Sequence, residues 1–206
     1  PQGLDALQAN HDVQRALGAD IVLEQAEALT RRHPWLATHG IAAGTTGLSG
    51  EGWFDPWTVL SALRRANREA GTLELKDEVV AISPGDRICA IRLAGGEPLS
   101  AHRLVIAAGP SSGRVAAMAG VELPVEPRKR SVFRFTCPQP PAAMPLTVDI
   151  SGAWVRPEGD GFICGISPSA DLDGPASPDD FEPQHELFEE VLWPLLAERI
   201  PAFDRL

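Results

Sequence analysis

Apolar and polar positions change their period several times along this chain, and each change marks an element. Residues 4–17 carry a loose helical spacing of apolar side chains that Gly18 stops, which predicts a first helix. A short apolar run at 21–23 predicts a strand, and residues 25–32 a second helix closed by His33 and Pro34. The run GIAAGTTGLSGEG, residues 40–52, is too rich in glycine for a helix and reads as a strand with turns. The sharpest signal starts at Asp55. Its carboxylate suits an N-cap, and Pro56 occupies the first turn, where a missing amide hydrogen costs nothing. Val59, Leu60, Leu63, Ala66 and Ala70 then form one apolar face, which Gly71 ends.

Strand-like runs follow at 73–75, 78–82, 88–93 and 104–107, with SPGD and GGEP as turns between them. The middle pair predicts a hairpin. Residues 111–119 predict a helix that opens at a small-residue turn. Beyond a proline-rich crossing at 123–127 the pattern shifts to short strands at 131–135, 146–150, 153–156 and 162–166, separated by proline and glycine. A polar loop at 171–180 precedes a last helix at 184–200, which Pro194 must bend. Helix, strand, hairpin and return strand together favour an α/β architecture (α+β mixed) around a mixed sheet, and no internal repeat is visible.

Composition narrows the classes. With 44% hydrophobic residues the chain can build a core, and 18 basic against 28 acidic residues give a net charge of −10. That balance argues against nucleic acid or an anionic membrane surface as partner. Cys89, Cys137 and Cys164 are far apart, without a CxxC or a histidine at metal spacing, so the expectation is reduced thiols, a cytoplasmic setting and no metal. No apolar run is long enough for a membrane span, and no signal peptide is visible. The chain opens on Pro1 rather than methionine, so its start reads as a boundary or a processing point. The histidines are scattered without a Ser–His–Asp arrangement, and Asp149 and Asp160 are not paired as glycosidase carboxylates.

Candidate chemistry concentrates in LVIAAGPSSG, residues 104–113. A strand running into Ala107, Ala108 and Gly109 and then a helix start leaves almost no side chain in the turn, which suits either a tight backbone crossing or a bound ligand. Arg156, after a strand and before PEGDG, is a candidate for gripping a carboxylate through two N–H groups, and Trp154 shares its strand face. One of Arg128, Lys129 and Arg130 is a further candidate to face a ligand.

The order GWFDPWTVLSALRRANREAG, EVVAI, GDRICAIRL, LVIAAGPSSG, GVELPVEPRKRSVF and SGAWVRPEGDGFICGISP resembles the interior of an FAD-dependent oxidoreductase of the D-amino-acid oxidase superfamily. Within it, the order resembles particularly the branch oxidising glycine, sarcosine and dimethylglycine. The resemblance implies an incomplete Rossmann-like FAD domain interleaved with a mainly antiparallel-sheet substrate domain. Residues 1–54 would be substrate-domain-like and connecting, 55–127 part of the FAD domain, and 128–206 the substrate domain. It implies that Val79 or Val80 meets the adenosine side of FAD, and that Ala107, Ala108 and Gly109, with Ser111 and Ser112 beside them, pass the pyrophosphate and ribityl chain. It implies a small amine or amino acid as substrate, hydride transfer to flavin, and Arg156 as the catalytic-site arginine. Some family oxidases carry a lysine over the flavin in the strand similar to GFICG; Ile163 stands there in this chain. No GxGxxG is present, and GTTGLSGEG has the wrong spacing. The chain is therefore expected to be an internal portion that by itself binds FAD weakly or not at all. A sheet lacking its first strand would expose an edge and invite a homodimer. A non-catalytic flavoprotein-like subunit or interaction scaffold is the alternative.

Overall fold

The short strands after residue 130 become a sheet because their apolar residues fall on one side of it in register. In the computed structural model, which describes residues 3–85, 89–171, 173–177 and 179–205, the chain divides into two units. The first takes in the described residues of 1–53, 130–169 and 182–206. Its elements are α1 (Leu4–Ala16), β1 (Ile21–Gln25), α2 (Ala26–Arg32) and β2 (Ala43–Gly47) at the start. The second takes in 54–129 and 170–181, with α3 (Pro56–Glu69), β3 (Val79–Ser83), β4 (Cys89–Leu93), β5 (Pro98–Ala101) and α4 (Ser112–Met118).

The first unit continues with β6 (Phe133–Phe135), β7 (Thr147–Val148), β8 (Trp154–Glu158) and β9 (Gly161–Gly165), ordered β6-β9-β8-β7 with every ladder antiparallel. Phe133, Cys164 and Val155 align across three strands, as do Phe135, Phe162 and Pro157. That face meets the C-terminal helical segment, whose Leu192, Leu196, Ile200 and Phe203 are all buried. The Phe203 ring meets Phe135 and Phe162 edge-on, each at 4.9 Å between centroids, a favourable aromatic geometry. The helical segment runs from α5 (His185–Leu187) through a π-helical stretch (Phe188–Leu192) into α6 (Trp193–Arg199). Pro194 lacks the N–H for an i−4 bond and its ring would strike that carbonyl; the wider turn just before it absorbs the mismatch without ending the helix.

In the second unit β3-β4-β5 is an antiparallel meander that buries Ile82, Ile91 and Leu93. Asp55 caps α3 as expected, accepting from the Thr58 N–H at 2.6 Å. No residue of α3 is buried, and Trp57 is 72% exposed.

Three expectations change, and one lies outside the described residues. Residues 73–75 and 104–107 join no ladder among the described residues. The run read as the turn GGEP contains the first residue of β5; Pro98 is tolerated there because β5 is an edge strand. The sheets are purely antiparallel among the described residues rather than mixed. Ile88, expected to open a strand, lies outside the described residues, and β4 begins at Cys89. Among the described residues no helix is long and apolar enough to cross a membrane.

Candidate functional site

In the second unit the candidate cofactor segments are neighbours. Val79 opens β3 opposite Leu93, but Ala81 pairs with Arg92, so Val80 is the extra residue of a β-bulge and has no partner across the ladder. α4, which follows Ser111, packs on β3, and its Arg114 reaches Glu78, the residue before Val79, at 3.2 Å. Ala107, Ala108 and Gly109 are exposed and lead into a 3₁₀ turn (Gly109–Ser111) in which the Ser111 N–H donates to the Ala108 carbonyl. Ser112 is the first residue of α4.

The small residues of this turn have two different causes. Gly109 has φ 55°, which L side chains rarely adopt, while a β-carbon there would meet open space. Gly113 is where a backbone crosses. A β-carbon on it would strike the Val125 carbonyl and lie 3.0 Å from that of Leu123. A tight backbone crossing, one of the two readings of the small residues, occurs at Gly113 and not at Gly109, four residues earlier.

In the first unit the side of the four-stranded sheet opposite the helical segment carries Trp154, Arg156 and Glu158, half-buried beside the fully buried Val155. Trp154 sits across from Gly165, where a β-carbon would come within 2.9 Å of the indole. Arg156 faces Ile163, which faces Arg134 in turn. The guanidinium of Arg156 donates through Nη1 to the Pro157 carbonyl at 3.0 Å and to Glu158, and lies 6.0 Å from the Trp53 ring centroid. Among the described residues its Nε and Nη2 have no protein acceptor, which leaves a two-pronged edge of the kind that grips a carboxylate. Trp53 was not singled out from the sequence; an aromatic before Asp55 carried no signal that it would meet an arginine far along the chain.

Other candidates are engaged elsewhere. Arg128 donates to Glu126 at 2.9 Å and to the Asp173 carbonyl, and Lys129 pairs with Asp180 at 2.7 Å, all within the second unit. Asp149 belongs to the first unit's framework. Burial pushes its carboxyl up, but Ser151 and the Arg199 guanidinium, at 2.7 Å, outweigh burial and hold it below the usual carboxylate range. No group of three or more His, Cys, Asp or Glu side chains placed to hold a metal occurs among the described residues.

Comparison with known proteins then adds what geometry cannot. The DAO family profile, described as FAD dependent oxidoreductase, matches residues 1–206. "FAD-dependent oxidoreductase domain-containing protein 1" of Xenopus laevis is 35% identical over 240 aligned residues, and that of Bos taurus 36% over 241, each covering 100% of this chain. The chain spans about half the length of these curated relatives, 47% and 49%. Among solved structures, L-proline dehydrogenase from P. horikoshii superposes with a TM-score of 0.81 at 20% identity, covering 98% of this chain and 54% of that one. Glycine oxidase from Bacillus cereus gives 0.70 at 14% identity, covering 99% of this chain and 54% of that one. At such identities the likeness establishes the fold.

Proposed function

The chain belongs to the DAO family of FAD-dependent oxidoreductases, and from that premise we propose that it is part of an enzyme oxidising the CH–NH bond of an amino acid or a secondary or tertiary amine. FAD would accept the hydride from the substrate α-carbon. The residues present fit that cofactor at one place. The exposed Ala107–Ala108–Gly109 turn offers backbone unobstructed by side chains, beside a β3 bulge that leaves Val80 unpaired. Val79, Val80, Ala107, Ala108, Gly109, Ser111 and Ser112 would hold FAD in the full-length protein. Without a GxGxxG motif, the 206-residue chain alone would bind it weakly or not at all.

The observation that carries the substrate assignment is the open sheet face around Arg156. Its Nε and Nη2 edge receives the substrate carboxylate, Glu158 fixes the guanidinium from the other side, and Trp154 and Trp53 supply apolar walls. Ile163 supports a dehydrogenase passing electrons to another acceptor over a direct oxidase, and also favours a second reading, a flavoprotein-like subunit without turnover.

Arg156→Gln in the full-length flavoprotein tests the assignment. Loss of a charge-assisted pair should weaken binding of an amino-acid substrate by about 10–100-fold, with little change for the corresponding decarboxylated amine. Equal weakening of both would remove Arg156 from carboxylate recognition.

A further inference from the structure

A cavity of about 570 Å³ in the first unit is lined by every residue from 42 to 47 and every residue from 145 to 150. A strand that presents one face to a cavity lines it with alternate residues; a strand that presents its edge lines it with all of them. The hydrogen bonds show that these are edges. Leu48 donates to Asp20 at 2.8 Å and Ala26 to Ala42 at 3.3 Å, so the bonded pairs of the β1–β2 ladder are 20/48, 22/46, 24/44 and 26/42. Ala43, Thr45 and Gly47 consequently turn their backbone N–H and C=O groups away from β1. Asp149 donates to Ala153 at 2.8 Å, which makes 147/155 a bonded pair and turns the backbone groups of Leu146 and Val148 away from β8.

Among the described residues β2 pairs only with β1, and β7 ends its sheet. Among the described residues nothing bonds these outward groups. Arg199 links the residue after β7 to the loop that precedes β2, donating Nε to Asp149 at 2.7 Å and Nη1 to the Ala37 and His39 carbonyls at 2.7 and 3.0 Å. Leu146, Val148 and Ile150 along the slot are 58%, 66% and 74% exposed.

We propose that this slot takes an extended, apolar β-strand from the part of the same protein that lies outside this chain, joining β2 to β7 in one continuous sheet. Two strand edges that turn successive outward N–H and C=O groups into one cavity call for a polypeptide backbone, which a small molecule does not reproduce. The length is available, since this chain spans only 47–49% of its curated relatives. The inference does not depend on flavin or substrate, so it stands or falls separately from the proposed function.

Residue-resolved amide hydrogen exchange on the full-length protein tests it. The Ala43, Thr45, Gly47 and Val148 amides should be protected to the same order as that of Thr46, which is bonded inside the hairpin. Exchange as fast as in the Ser49–Gly50 turn would overturn the proposal. Protection that rises with protein concentration would assign the slot to a second copy and overturn it too. Thr45→Pro supplies an independent reading. A proline is tolerated on an unpaired edge but not within a ladder, so the full-length variant should lose several degrees of melting temperature, and an unchanged melting temperature would contradict the filled slot.

Discussion

Gly109 and Gly113, four residues apart, are glycines for different reasons, and substitution separates them. Gly109→Asn should be well tolerated, because asparagine visits the left-handed region and the space beside residue 109 is open. Gly113→Ala should cost about 1–3 kcal/mol, because its β-carbon must displace the 123–125 backbone. Denaturant midpoints of the two variants check the order. Loss of bound FAD by full-length Gly109→Asn, with an unchanged apo melting temperature, would additionally mark the open space as cofactor space. Cys164 gives a second residue-scale prediction. Burial pushes its thiol from 9.0 up to about 12, so the folded chain keeps a proton that the unfolded chain releases. Stability is therefore undiminished by this group below pH 9.0 and is lost as pH rises toward 12. Unfolding free energies at pH 8 and pH 10 should differ less in Cys164→Ala than in the parent chain.

Elements whose cause is local were legible in the sequence. The α3 cap needs only Asp55, Pro56 and the spacing behind them, and the β3–β4 hairpin and the separate strands β8 and β9 needed only alternation between turn residues. Asp55→Ala should lower the melting temperature while Asp55→Asn largely keeps it. The Thr58 backbone N–H holds the Asp55 carboxyl below its usual range, so the charged cap's contribution is present at neutral pH and fades as pH falls through that lowered value. What sequence patterning missed depends on partners elsewhere in the protein. Residues 73–75 and 104–107 have strand composition but join no ladder among the described residues. The Val80 bulge and the π-helical stretch before Pro194 are single-residue adjustments that a period of 2 or 3.6 cannot register. Trp154 and Arg156 were readable as one face from their spacing, whereas the Trp53 contact arises only from folding.

At the scale of the whole molecule, the proposed function makes one claim: the full-length protein oxidises an amine and reduces FAD. The acidic balance of the chain, −10, sets no obstacle to a small amine approaching. The most direct test mixes the full-length, FAD-loaded protein anaerobically with glycine, sarcosine, dimethylglycine and L-proline and follows the absorbance of oxidised flavin. The account predicts that at least one of these amines bleaches the flavin and that its imine or the hydrolysis product appears in equal amount. Flavin that stays oxidised with all four, yet is bleached by dithionite, would contradict it.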